Sequence, residues 1–161
     1  MDFSLKPVIK SNSEEGYILY PEAIQEDAAQ IWNYLRKKHR LRELGILITD
    51  SRTTILRRGV TGVALGWCGF VPYHDYIGRP DLFGKPLRVT ICNLLDSLAA
   101  AAVLVMGEGD EQTPLALITH APKITFVDRP PSKEEERFFF LSPEEDLYAP
   151  LLEGFVRPPQ S

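Results

Sequence analysis

The sequence predicts a fold of mixed class, with helices and short strands together. Three observations carry this. Residues 22–38 hold an apolar residue every third or fourth position (Ile24, Ala28, Ile31, Leu35), the period of a helix with one buried face. Asn93 to Met106 is a second, almost wholly apolar helical run. Between and after them lie short apolar segments rich in β-branched residues and bounded by glycine and proline, which read as strands.

Residues 1–20 are mixed. Ser11 to Gly16 has the composition of a loop, and Tyr17 to Tyr20 reads as a short strand closed by Pro21. In the first helix, Glu22, Glu26 and Asp27 crowd the start and Arg36, Lys37, Lys38 and His39 the end, the polarity that the helix dipole favours. The basic cluster from Arg36 to Arg42 reads as a solvated helix end, with an anion patch as the alternative. The run Leu44, Ile46, Leu47, Ile48 reads as an interior strand that ends abruptly in Thr49, Asp50 and Ser51. Hydroxyls beside a carboxylate are ligands for a hard cation. Arg52, Arg57 and Arg58 follow, and the arginine fork suits phosphate and carboxylate. The plain alternative is a strand leading into a solvated turn.

Gly59, Gly62, Gly66 and Gly69 recur among apolar residues, too many for a helix, and predict a buried strand with close backbone approach or a bulge. Residues 71–88 form a turn-rich loop or hairpin, in which His74 reads as surface or structural rather than as an acid–base partner of Asp75. Leu87 to Ile91 reads as a strand. Asn93 caps the second helix with Asp96 three residues on, close to a capping box. That helix belongs in the core or in a subunit interface. It ends at Gly107 or Gly109, where Glu108, Asp110 and Glu111 crowd a glycine-rich exit, read either as a solvated acidic turn or as a cation site. Pro114 to Thr119 and Ile124 to Val127 are expected as strands, 129–137 as a polar linker, and Phe138 to Leu141 as an apolar segment docked on the core. Ser142-Pro143-Glu144-Glu145 is expected to start a short helix, and 156–161 reads as a tail.

The chain has 161 residues, 44% hydrophobic and 25% charged, which suits a globular domain or one domain with an appendage. A net charge of −4 argues against a nucleic-acid partner. Two cysteines, Cys68 and Cys92, with no paired Cys or His spacing, argue against zinc and for a reduced compartment. No apolar run reaches the ~20 residues of a membrane span, and Met1 to Lys6 is not a signal peptide. A cytoplasmic location is expected.

Three stretches together resemble the coenzyme F420-0:gamma-glutamyl ligases, nearest the branch named putative folate-metabolism gamma-glutamate ligase. They are Ile48-Thr49-Asp50-Ser51 with Arg57-Arg58-Gly59-Val60-Thr61-Gly62-Val63-Ala64, then Asp75 to Gly84, then Asp96 to Ala102 running into Met106-Gly107-Glu108-Gly109. The resemblance covers about 8–127. It implies an α+β fold with mixed, largely antiparallel sheets packed with helices in an intertwined homodimer. Residues 1–128 would form the ligase-like domain and 129–161 a linker with a helical appendage.

The resemblance also implies a GTP-dependent ligase joining L-glutamate to an acidic acceptor, an F420-0 or folate-type molecule, with Mn2+ or Mg2+ on the nucleotide. Asp50 and Ser51 match the family's Asp-Thr metal position, and Glu108 a further metal position. Asp50 and Arg52 are the catalytic candidates. Asn12, Met106, Gly107, Glu108, Gly109, Asp110 and Glu111 are the nucleotide candidates. Two departures stand out. Where the family carries Gly-Val-Asp-Glu-Ser-Asn, this chain has Pro7-Val8-Ile9-Lys10-Ser11-Asn12, and Ile9 cannot ligate a cation. The family's segment ahead of that motif does not precede it in this sequence, which is expected to be a fragment or shortened product of such a ligase, or a chain whose partner supplies the rest. The competing expectation is therefore an inactive relative that serves as a binding or assembly module.

Overall fold

The computed structural model describes residues 21–121 and 124–151. Its centre is an antiparallel hairpin, β1 (Ile46–Thr53) against β2 (Val60–Cys68), sandwiched between two helices. α1 (Ile24–His39) covers one face and α2 (Leu94–Met106) the other. A smaller pair, β3 (Tyr73–Asp75) and β4 (Ile91–Asn93), leads into α2. A short third helix, α3 (Lys133–Phe139), closes over the α2 side. The mixed, antiparallel character expected from the sequence is present.

Strand alternation divides the core in two. Ile46 and Ile48 join Ala28, Trp32 and Cys68 under α1, while Leu47 joins Ala64, Trp67, Phe70, Leu95 and Ala99 under α2. Ala64 and Trp67 are three residues apart, so a regular strand would send them to opposite faces. The register shows how they share one: Ile48 pairs with Gly66 but Thr49 with Ala64, which leaves Leu65 as a bulge. The bulge expected among the glycines is there, one residue from Gly66.

The buried stripe of α1 is Ala28 and Trp32, not the expected row through Ile31, which is 43% exposed. Trp32 wins because it buries a larger surface and its indole N–H donates to the Leu44 carbonyl at 2.8 Å. At the helix end, Arg36 lies over the Trp32 ring and pairs with Asp128, so it is a structural cation rather than part of an anion patch.

α2 is held against β2 by two devices. Asn93 accepts from the Asp96 N–H at 2.9 Å and donates to Asp96 Oδ2 at 2.8 Å, a side-chain version of the expected box. The other Asp96 oxygen accepts from the Ala64 N–H at 3.0 Å, beside the bulge. One turn on, Gly62 lies so close to the helix that an added methyl would overlap the Ala99 carbonyl. Asp96 thus meets Ala64, and Ala99 and Val103 meet Gly62. The helix runs antiparallel to β2, and its C-terminal end points to the same end of the sheet as the β1–β2 turn.

Several expected elements differ. Pro114 to Thr119 forms no strand: Leu115 and Leu117 are 89% and 85% exposed. An apolar run signals burial without saying what buries it, and no described strand lies beside this one. Ile124 to Val127 makes only a local pairing, a Phe70–Phe126 bridge flanked by Val71 N–H to Thr125 O and Val127 N–H to Gly69 O, both 2.9 Å. Leu87 to Thr90 extends the 76–90 hairpin, and the strand proper begins at Ile91.

From Lys133 on, the expected linker 129–137 is instead α3, opened by a complete capping box between Ser132 and Glu135. Its charged residues are good helix formers, and the two preceding prolines disguise the start. The apolar docking expected next is seen: Phe139 tilts over Trp67 at 5.8 Å and Phe138 over Tyr73 at 4.8 Å. From Ser142 to Tyr148 the backbone makes successive turns, and helix begins only at 149–151. Asp146 accepts from the Tyr148 N–H at 2.8 Å, a local bond that competes with helix formation. The 17–20 strand and the 156–161 tail lie outside the described residues.

Candidate functional site

At the end of the sheet where α2 terminates, the strand oxygens and the glycine-rich helix exit come together. Thr49, Asp50 and Ser51 on β1 and the loop Met106 to Pro114 border a hollow of about 510 Å³, which Val103 also lines. Residues 55 positions apart in sequence are brought together by the α2–β2 contact at Gly62 and Asp96.

The loop is shaped by its own polar groups. Gly107 has φ +86, a conformation that suits glycine, and its space above is filled by the Glu111 carboxylate. Glu111 Oε2 accepts from the Gly109 N–H at 2.7 Å. Its own backbone N–H and that of Gly109 hold its pKa below the ordinary glutamate value. Thr113 Oγ1 donates to the Met106 carbonyl at 2.5 Å and closes the loop at its far end. On the strand, Asp50 Oδ1 accepts from the Ser51 N–H at 2.7 Å, which leaves its second oxygen without a described partner.

Asp50, Ser51, Met106, Gly107, Glu108, Gly109 and Glu111 therefore border one hollow. Asp110 sits in the same loop but is not among the lining residues, and Arg52 is not either. The Arg52 guanidinium lies 3.8 Å from Asp96 instead, and is more than half exposed. Asn12 lies outside the described residues. Sequence reasoning missed Val103 and Pro114 as lining. It also missed Asp96 as the residue that ties the helix to the bulge. The capping pattern around Asn93 marked Asp96 without revealing its second bond.

The donors on the hollow are hard oxygens: the Asp50 and Glu108 carboxylates and the Thr49 and Ser51 hydroxyls. This is the ligand chemistry of Mg2+ or Mn2+ rather than of zinc. Among the described residues no group of three or more His, Cys, Asp or Glu is disposed to hold an ion. The set suits a cation that keeps several waters and takes further oxygens from a bound phosphate. His74 is not part of this site; its ring packs edge-on against Tyr76 at 4.6 Å, and Asp75 turns instead to the Ile77 N–H.

The hollow is thus lined by carboxylates, hydroxyls and a glycine-rich loop. The family model F420-0:Gamma-glutamyl ligase matches residues 6–120, and the chain belongs to that family. The "Coenzyme F420:L-glutamate ligase" of Methanopyrus kandleri is 37% identical over 147 residues, 88% of this chain and 55% of that protein. The protein of the same name from Archaeoglobus fulgidus is 38% identical, over 67% of this chain and 43% of its own length. That from Methanosarcina mazei is 41% identical, over 68% and 43%. The chain thus spans about half the length of the curated relatives it matches.

Proposed function

We propose that this chain carries the nucleotide- and metal-binding part of a GTP-dependent gamma-glutamyl ligase. That ligase joins L-glutamate by an amide bond to an acid group of F420-0 or of a folate-type acceptor. The observation that carries the reading is the convergence of Asp50 and Ser51 with the 106–114 loop on one hollow. Amide formation from a carboxylate and an amine requires the carboxylate oxygen to leave with a phosphate. The developing charge must then be neutralised where it appears. A bound Mg2+ or Mn2+ supplies part of that neutralisation. Asp50, Ser51 and Glu108 are the residues of this chain that would hold it.

Glu111, committed to the Gly109 N–H, keeps the loop in shape rather than acting on substrate. A homodimer fits the same reading. Leu104 and Val105 on α2 are 85% and 75% exposed, and Leu115 and Leu117 are exposed as well. Among the described residues no helix is long and apolar enough to cross a membrane.

Calorimetric titration of GTP, with and without Mn2+, into the chain and into Asp50→Asn tests the proposal. Metal-dependent binding that the variant loses by at least tenfold is expected. Equal affinity in the two proteins refutes the role given to Asp50. The second reading, a non-catalytic binding or assembly module, draws support from the small number of acids that meet at the hollow. It predicts no turnover of F420-0 with GTP, L-glutamate and Mn2+ present; measurable turnover removes it.

A further inference from the structure

The β1–β2 turn, residues 54–59, stands at the same end of the sheet as the hollow and is built in an unusual way. Leu56 has φ +59 and is 99% exposed, and Gly59 has φ +90. A leucine held in the left-handed region and wholly in water contributes neither packing nor relaxed backbone; such conformations cluster where a loop is shaped for binding. The turn is fixed by the Arg57 N–H donating to the Thr54 carbonyl at 3.2 Å. It carries Arg57 and Arg58, both exposed, and neither guanidinium has an ion pair or a hydrogen bond with a described residue.

The charge around them is of the opposite sign. Asp50, Glu108 and Glu111 line the hollow, and Asp110 sits beside it. An anionic substrate approaching that rim is repelled unless cations receive its acid groups. A nucleotide can bring its own cation, whereas an acceptor with free acid groups cannot.

We propose that Arg57 and Arg58 are specificity-determining residues that receive the free acid groups, phosphate or carboxylate, of the acceptor as it enters the hollow. The paired forks suit such groups bidentately, and Arg58 and Arg57 lie four and five residues from Gly62, the partner of Ser51, which is at most roughly 14–17 Å along the hairpin. That span fits an extended acceptor whose reacting end lies in the hollow. This inference rests on the ligase reading above.

The test titrates coenzyme F420-0, and separately GTP with Mn2+, into the full chain by calorimetry. The proteins are wild type, Arg57→Ala/Arg58→Ala, and a control of equal charge change, Lys37→Ala/Arg42→Ala on exposed positions near the end of α1. At least tenfold weaker F420-0 binding in the turn variant alone, with GTP binding kept, is expected. The wild-type affinity for F420-0 is also expected to fall with added salt more steeply than that of the turn variant. Unchanged F420-0 affinity, or an equal loss in the control, overturns the proposal. Loss of GTP binding with F420-0 unaffected overturns it too and gives the arginines to the nucleotide. A wild-type chain that binds GTP but not F420-0 refutes it while leaving the ligase reading intact. Arginine-dependent F420-0 binding without any GTP binding upholds it and removes that reading.

Discussion

Replacing Asp96 by alanine removes a side-chain hydrogen bond that ties the start of α2 to the bulged strand. Its Oδ1 is the acceptor for the Ala64 N–H at 3.0 Å, next to the residue the bulge leaves unpaired. Without it a partly buried amide loses a charged acceptor, a loss of about 1.5–3 kcal/mol. The carboxylate in the first turn of the helix adds ~0.5 kcal/mol through the helix dipole. The Arg52 contact at 3.8 Å is long and exposed and adds little. A destabilisation of about 2–3 kcal/mol is expected, equivalent to a fall in Tm of roughly 5–10 °C for a chain of this size. Thermal and urea denaturation followed by circular dichroism measure it. Asp96→Asn keeps a carbonyl for Ala64 and is expected to lose less than half as much. An Asp96→Ala protein within about 0.5 kcal/mol of wild type refutes the idea that this bond anchors α2. Arg52→Ala, run beside it, separates the hydrogen bond from the ion pair.

Gly62→Ala is expected to destabilise by about 1–3 kcal/mol, because the new methyl meets the Ala99 backbone carbonyl and the helix must lift. Gly66→Ala, which meets the Ile24 side chain as well as its carbonyl, is expected to cost less in the same urea titration. Glu135 is held below the ordinary glutamate range, first by its hydrogen bond from Arg129. A depressed carboxylate stabilises α3 fully above its unfolded pKa of about 4.3 and loses that contribution as pH falls through the folded value. Hydrogen exchange over α3 is expected to accelerate in that acid window and to lose the dependence in Glu135→Gln. Burial pushes the Cys68 thiol up to about 11, with Arg36 opposing in part. A thiol reagent at neutral pH is expected to label Cys92 in the native protein and both cysteines in urea; native labelling of Cys68 would contradict its burial.

Much of the hollow was legible in the sequence. A strand that ends in Thr49-Asp50-Ser51 and a helix that ends in Gly107-Glu108-Gly109 each announce themselves through local chemistry, and both border the hollow. Arg52, two residues beyond Asp50 on the same strand, does not line the hollow; its guanidinium lies 3.8 Å from Asp96. The misread segments share a cause of another kind. Pro114 to Thr119 has strand composition, but a strand exists only where a neighbour offers its ladder, and composition does not carry that information. Lys133 to Arg137 looked like a linker because its charges suggest solvent. Helix formation there is decided by Ser132 and Glu135 locking each other, a pattern that spans only four residues. In α1 the period was right and the face was off by one position, since Trp32 outweighs Ile31 in buried area.

The single residue Leu65 also sets a rule about which length changes the hairpin tolerates. Everything between it and the tip is in phase with α2 only because one residue is left over at that point. Adding or removing residues between 54 and 59 changes the turn and leaves the pairing of Ser51 with Gly62 as it is. Removing one residue between 63 and 67 would rotate the rest of β2 by half a period, present Thr61 or Val63 to the Ala99 carbonyl in place of Gly62, and push the helix off the sheet. Insertions and deletions among related chains should therefore accumulate at the tip and be missing from the five residues around the bulge. The depth of the hollow, set by how closely α2 can lie on β2, is in this sense fixed by a count of residues more than by any one side chain.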